Sequence, residues 1–296
     1  MAIGFLGLGA IGRPIAQRLA QGAEPLIVFD PRAEAMAAMP PGVARATSAK
    51  DVADRAQIVW TCLASADAHR AALLGANGLV SGTAIRTHVH LGTTGPALVR
   101  ELAAAMRERG VDTVDAPITG GVARAEAGTL TTMVACPRAT LESLRPFLAR
   151  YSTEIVWLAE HPGAAQVMKL VNNAISLANL AAASEALVVG AKEGLDPQIM
   201  LKVLNTGSGQ NSATLSKIPR DVITGNFAFG GALRIVIKDL HAYVDLAREV
   251  GLDAAVGQVV LDRYEAAASA ASFEADVTTV IRPMEAEAGV EVRARK

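Results

Sequence analysis

The pattern of apolar and polar positions changes character near residue 163. Before it, short apolar runs alternate with helix-like stretches. Ala2–Leu6, Leu26–Phe29, Ile58–Leu63, the run ending Val89-His90-Leu91, and Val111–Val114 read as five strands. Arg13–Ala20, Ala68–Leu74 and the segment from Pro96 to about Arg109 read as helices between them. Strands that alternate with helices predict a parallel, doubly wound sheet. From Gly163 to Gly194 the chain is apolar on nearly every face, with Gly190 as its one internal glycine. That stretch predicts a helix of about 45 Å, opened by the Pro162-Gly163 break and stopped by Gly194. A helix apolar all round is expected to lie buried between other elements.

After Gly194 only helical patterns remain. Pro197–Leu204, the amphipathic Leu233–Glu249 and Ala255–Ala270 are the clearest, and Gly251 ends the second of them. Asn205–Ser212 is a polar loop, and Phe227 and Phe229 lie in another. The charged tail Glu285–Lys296 is expected to fray. The fold class expected is α/β: an N-terminal doubly wound parallel sheet over residues 1–162, then an all-α domain over residues 163–296 that begins with the long interdomain helix.

Composition narrows the function. The net charge is -1 and no basic block stands out, which argues against a nucleic-acid partner. The chain is 51% hydrophobic but only 4% aromatic, as closely packed helices require. The run Leu170–Ala191 is long enough to span a membrane, but Asn172, Asn173, Asn179 and Glu185 interrupt it, so a buried soluble helix is the better reading. The N-terminus has no positive region before an apolar stretch, and a cytoplasmic location is inferred. Cys62 and Cys136 end apolar runs and read as small buried hydrophobes. The five histidines show no metal-ligand spacing, so no metal is expected.

The chemistry begins at Gly7-Leu8-Gly9-Ala10-Ile11-Gly12, a GxGxxG between a strand and a helix. The first glycine allows the tight turn, the second lets a pyrophosphate approach, and the third lets helix pack on strand. The second strand ends at Asp30, 18 residues beyond Gly12, near where an acid is expected to hold the adenosine ribose. Such an acid favours NAD, whereas Arg32 could attract the extra phosphate of NADP. Ligands of doubly wound sheets lie at the carboxyl ends of the strands. The loops there include Leu63–Asp67, Gly92–Pro96 and Asp115–Gly121. In the last, Thr119 precedes Gly120 and Gly121, whose N–H groups can turn together onto a carboxylate. An ordinary glycine turn before a helix is an equal alternative from the residues alone. On the long helix Lys169 and Asn173 are four apart, hence on one face. Polar groups in so apolar a helix need a reason, since burying them is costly. Lys238 and Asp239 read by pattern as surface charges, His241 as a structural histidine, and Ser65 with Asp67 as a helix start.

These motifs together resemble the β-hydroxyacid dehydrogenases, the group containing 3-hydroxyisobutyrate dehydrogenase and tartronate semialdehyde reductase. The fingerprint Gly7–Gly12, the motif Asp115–Gly121 followed by Gly128-Thr129-Leu130, the Lys169/Asn173 pair and Lys238-Asp239 are similar to that family's motifs and follow their order. Thr119 stands where the family usually has Ser, Gly163-Ala164-Ala165 replaces Gly-x-Gly, and His90-Leu91-Gly92-Thr93 replaces Asp-x-Ser-Thr. The loop Gln210-Asn211-Ser212 lacks a Trp found in some 3-hydroxyisobutyrate enzymes.

The resemblance implies a Rossmann-type domain and hydride transfer between NAD, or NADP, and a small anionic hydroxyacid or its semialdehyde. Gly7, Gly9, Ala10, Ile11, Gly12, Asp30, Arg32, Leu63, Thr93 and Lys238 are its candidate cofactor residues, and Thr119, Gly120 and Gly121 its candidate carboxylate residues. Lys169 is the candidate general acid–base and Asn173 its partner. A free lysine titrates near 10.4, so as a base it must be shifted down by apolar surroundings or a nearby cation. Imine reductases are similar in architecture but, as that resemblance implies, usually lack the lysine. A non-catalytic dinucleotide-binding protein is the rival from another class; a missing Lys–Asn pair or a broken anion loop would favour it. The long apolar helix also predicts a homodimer or homotetramer.

Overall fold

The computed structural model of the chain describes residues 1–294, so the last two residues of the expected tail lie outside the described residues. The chain forms two compact units, Met1–Lys169 and Leu170–Lys296, and the boundary falls inside the long helix.

In the first unit the apolar runs become parallel strands. β1 (Ile3–Leu6), β2 (Leu26–Phe29), β3 (Ala44–Arg45), β4 (Ile58–Thr61), β5 (Thr87–His90) and β6 (Asp112–Asp115) take the order β3-β2-β1-β4-β5-β6. The register pairs Leu6 with both Phe29 and Thr61. The carboxyl ends of β1, β2 and β4 therefore come level, beneath the loops the sequence picks out. Three further strands complete a nine-stranded sheet among the described residues: β7 (Ile118–Thr119), β8 (Leu130–Ala135) and β9 (Ser152–Ala159). Here the sheet is mixed, because β8 runs antiparallel to β6 and β7 and parallel to β9. The wholly parallel sheet expected from the pattern thus stops at β6.

Helices α1 (Gly12–Leu19), α2 (Ala33–Ala37), α3 (Ala49–Arg55), α4 (Ala66–Leu74), α5 (Pro96–Arg107), α6 (Gly121–Ala127) and α7 (Arg138–Leu148) connect the strands. Ser65 caps α4 by accepting the Ala68 N–H at 3.1 Å, the helix start expected at that position. Two large apolar clusters lie in this unit, one around Phe5, Ile15, Trp60 and Tyr151, the other around Leu6, Val52, Leu73 and Leu102, and a small third one joins Met133, Ala135 and Ala165.

Helix α8 spans Ala164–Lys192, and Gly194 follows it with a φ of +87°. In the second unit come α9 (Pro197–Thr206), α10 (Leu233–Glu249), α11 (Ala255–Ala270) and α12 (Arg282–Ala288), with a π-helix at Ala213–Val222 that the pattern does not foresee. Its core gathers Leu177, Leu180 and Leu187 of α8 with Leu240, Leu261 and Tyr264.

Two expectations need correction. α8 is not covered on all faces: Leu170, Leu177, Leu180 and Leu187 are buried, yet Ile175 and Val189 are 59% and 60% exposed. By length and composition it could cross a membrane, but the buried stripe belongs to the helical core described above. The tail to residue 294 does not fray. Glu285 is buried and accepts the Val292 N–H at 2.8 Å and the Arg293 guanidinium at 2.9 Å, while Val292 is fully buried. The charges that suggested a solvated tail neutralise one another around an apolar residue.

Candidate active site

The three glycines of the fingerprint differ in what a side chain there would meet. A Cβ on Gly7 would meet the Cys62 carbonyl oxygen at 2.3 Å and Leu63 at 2.8 Å. One on Gly12 would meet the Gly7 carbonyl oxygen at 2.0 Å, so here helix and strand touch backbone to backbone. One on Gly9 would meet nothing within 4 Å. Gly9 borders open space at the start of α1, where a diphosphate can approach N–H groups at the positive end of a helix. Ala10 is exposed and Ile11 half-buried beside it, and Leu63 closes the far side of the Gly7 turn.

Asp30 is buried at the end of β2. Its Oδ2 accepts the Leu8 N–H at 2.8 Å, and its Oδ1 accepts the Arg32 N–H at 3.0 Å. The Arg32 guanidinium reaches both oxygens, Nε at 3.0 Å and Nη2 at 3.1 Å. Burial alone would raise the carboxyl pKa. The Arg32 fork and the two backbone donors outweigh it and hold Asp30 below the usual carboxylate value. The two residues weighed against each other for cofactor choice are thus bonded to each other.

A buried polar network lies beneath the Gly92–Pro96 loop, and the sequence does not announce it. Asp115, at the end of β6, accepts the Gly163 and Gln166 N–H groups at 2.8 and 3.2 Å. Its carboxylate thereby caps the first turn of α8, where a negative charge is favoured. Gln166 donates from Nε2 to Asp115 Oδ1 at 2.8 Å and to the Gly92 carbonyl at 3.0 Å. Its Oε1 accepts the Thr94 and Gly95 N–H groups at 2.8 and 3.1 Å. One side chain therefore fixes the loop carrying Thr93 to the turn that leads to Lys169. Burial raises the Asp115 pKa, opposed by the Gln166 amide and the backbone donors.

Histidines continue the network. His90 Nε2 lies 3.0 Å from Thr94 Oγ1, and the His69 and His90 rings are centred 4.2 Å apart. His88, on the same face of β5, bonds Thr61 at 2.9 Å. Burial and then the neighbouring His69 push the His88 pKa down to about 3, and His90 falls well below its usual value for the same reasons. A Cβ on Gly92 would lie 2.3 Å from His69 Nε2. The His69 ring of α4 thus fills the room that a side chain at position 92 would need. No group of His, Cys, Asp and Glu among the described residues is arranged to hold a metal ion. Cys62 and Cys136 are free thiols, which burial pushes up to about 12 and about 11.

Thr119 ends β7, and Gly120 and Gly121 open α6 with φ of +138° and +77°. Residues with side chains rarely adopt either value. A Cβ on Gly120 would also press on Leu130 at 2.9 Å. Lys169 follows on the second turn of α8 and is 9% exposed.

In the second unit Asn173 donates from Nδ2 to Asp239 Oδ2 at 2.7 Å and accepts from the Asn172 amide at 3.1 Å. Lys238 Nζ donates to Asp239 Oδ1 at 2.8 Å. Asp239 is 4% exposed, so the pattern's reading of this pair as surface charges is wrong for the acid. It ties Lys238 of α10 to Asn173 of α8. The sequence offered one signal for this, an acid inside an amphipathic helix next to a cation. His241 pairs with Glu265 at 2.9 Å in the open, a structural role, and Glu185 meets Arg263 at 3.4 Å on the surface between α8 and α11.

A glycine fingerprint at the head of a parallel sheet, joined to a helix that opens on a buried lysine, defines a dinucleotide-dependent oxidoreductase. Comparison with known proteins narrows that class. Residues 2–159 match the family described as the NAD binding domain of 6-phosphogluconate dehydrogenase, and residues 163–284 match that described as NAD-binding of NADP-dependent 3-hydroxyisobutyrate dehydrogenase. The chain is 32% identical to 2-(hydroxymethyl)glutarate dehydrogenase of Eubacterium barkeri, over 98% of this chain and 97% of that one. It is 30% identical to 3-hydroxyisobutyrate dehydrogenase of Pseudomonas aeruginosa, over 90% and 92%. The solved Mycobacterium tuberculosis 3-hydroxyisobutyrate dehydrogenase, a complex with L-serine, superposes with a TM-score of 0.84 at 28% identity, covering 96% of this chain and 98% of that one. The chain belongs to the β-hydroxyacid dehydrogenase family. It is an NAD(P)-dependent oxidoreductase acting on CH–OH groups.

Proposed function

We propose that the enzyme interconverts a small β-hydroxyacid and its semialdehyde with Lys169 as general acid–base. The observation that carries the reading is Lys169 itself: a lysine nine-tenths buried, one helical turn before Asn173 and just beyond the Asp115–Gln166 cap. Thr119 and the N–H groups of Gly120 and Gly121 hold the substrate carboxylate. The Lys169 amine takes the proton of the substrate hydroxyl as the carbinol carbon gives up its hydride, and in the reverse direction the ammonium returns it. A bound nicotinamide supplies the hydride acceptor. Asn173, held by Asp239, orients the reacting oxygen or the lysine. The Gly9 approach and Asp30 support binding of the dinucleotide, and Asp30 supports NAD over NADP. Thr93 and Lys238 flank the nicotinamide and its ribose, as in the resemblance that suggested them. Lys169 argues against imine reduction, and the intact lysine, asparagine and glycine loop argue against a non-catalytic role.

We assign the first domain to the cofactor and the helical domain to substrate and oligomer contacts, in a cytoplasmic homodimer or homotetramer. The test is absorbance at 340 nm with NAD and NADP against hydroxyacids, semialdehydes, sulfonate analogues and the matching uncharged amides. Turnover of acids but not of their amides supports the reading. Equal turnover of an acid and its amide removes the carboxylate loop from it.

A further inference from the structure

The second unit contains a buried cation that the proposed reaction does not use. Lys217 lies on the π-helix Ala213–Val222 and is 9% exposed. Its Nζ donates to Ser176 Oγ at 2.9 Å and stands 5.4 Å from the centre of the Phe229 ring. Those are its partners among the described residues, and no carboxylate pairs with it. Asp221, one turn further along, is buried but engaged by Arg220 Nε at 2.7 Å. An ammonium has three donors, and a buried charge is costly unless paired. Burial holds the Lys217 amine below its ordinary pKa, with no negative group to oppose that effect. π-Helical turns gather at functional sites.

The position on α8 says what the cation faces. Ser176 is three residues beyond Asn173 and seven beyond Lys169, so all three share one stripe of the helix. Ser176 itself is only partly buried.

We propose that Lys217 and Ser176 form a second anion subsite, which receives a negatively charged group at the far end of the hydroxyacid. The proposal rests on the reading that Lys169 and Asn173 face the reacting carbon. It makes the preferred substrate a hydroxyacid with two anionic groups, the distal one being a carboxylate, sulfonate or phosphate. The Lys217 ammonium and the Ser176 hydroxyl both donate to it, and the Phe229 ring keeps the cation in place. A charge-assisted hydrogen bond of this kind discriminates by about tenfold or more.

The test compares the wild type with Lys217→Met and Lys217→Arg. Turnover with NAD is measured on 2-(hydroxymethyl)glutarate and on its distal mono-amide, with distal sulfonate and phosphate analogues alongside. The wild type should favour at least one dianion over the amide by about tenfold or more in kcat/KM. Lys217→Met should bring that ratio close to one, and Lys217→Arg should keep much of it. A wild type that prefers none of the anions, or a Lys217→Met enzyme with an unreduced ratio, overturns the proposal. Calorimetric binding of glutarate and butyrate separates it from the catalytic reading. Without turnover, tighter glutarate binding that is lost in Lys217→Met keeps the subsite while the reaction assignment falls. Equal binding of both acids by the wild type removes the subsite. Lys217→Met should melt no lower than the wild type, because an apolar chain of similar length replaces a buried charge. A melt lowered by many degrees would make Lys217 structural and overturn the assignment.

Discussion

Asp30 and Arg32 carry the proposed preference for NAD over NADP. The carboxylate takes four hydrogen bonds from Leu8 and Arg32, and the guanidinium is spent on it. For Arg32 to greet a 2′-phosphate it must leave Asp30, whose own charge repels that phosphate. NAD requires neither step. Asp30→Ser, with Arg32 retained, should therefore move the ratio of NAD to NADP affinity by about tenfold or more towards NADP, in line with a charge-assisted hydrogen bond gained or lost. Cofactor titrations by fluorescence check this. A wild type that binds NADP more tightly than NAD contradicts it. At this scale the fingerprint was legible, because Gly7 and Gly12 answer local steric needs and Gly9 borders open space. The histidine cluster was not. His69 lies on α4 while His88 and His90 lie on β5, so only the fold brings them together. Asp239 was misread for a similar reason: its burial depends on the partner that α8 presents.

Elements differ in how plainly the pattern wrote them. β1, β2 and β4 are short apolar runs closed by a turn, and α10 and α11 carry one buried stripe each. β9, by contrast, reads Ser-Thr-Glu-Ile-Val-Trp-Leu-Ala and has Thr153, Glu154 and Val156 exposed, which gives no clean alternation. The π-helix contains Pro219, a residue that ordinarily argues against any helix. The start of α8 was visible from Gly163, yet its cap was not, since Asp115 is 48 residues away from the Gly163 N–H it accepts. That cap carries a prediction. In Asp115→Asn one oxygen becomes a donor that faces the N–H groups of α8 or the Gln166 amide. Gln166 must then turn, releasing Thr94 and Gly95. Stability should fall by about 1–2 kcal/mol, as for a lost helix cap, and kcat should fall with it because the Thr93 loop and the Lys169 turn lose their shared tether. Chemical denaturation and steady-state kinetics check both. Unchanged stability and kcat would show that Asp115 does not organise this turn.

At the scale of the whole molecule, the single chain leaves apolar helix faces in the open. Ile175 and Val189 of α8 and Val256 and Val259 of α11 are all more than half exposed, at 59%, 60%, 74% and 60%. Ala178, Ala181, Ala182, Val256 and Val259 line a shallow groove between these helices. Each large apolar side chain covered by a second copy contributes roughly 1.5–3 kcal/mol. Light scattering at micromolar protein should give at least a dimeric mass, and a monomer would contradict this use of the exposed faces.

Proton transfer at Lys169 is open to test through substitutions of that residue. Positioned acid–base groups contribute about 10²–10⁴-fold in rate. Lys169→Ala should lose about that much kcat while cofactor affinity survives, because the glycine turn and Asp30 stand on other elements. Lys169→Arg should not restore kcat, since a guanidinium stays protonated and cannot accept the hydroxyl proton. If Lys169→Arg instead keeps most of kcat, and Lys169→Ala loses mainly in KM, the lysine only anchors the substrate anion and the mechanism proposed here is wrong.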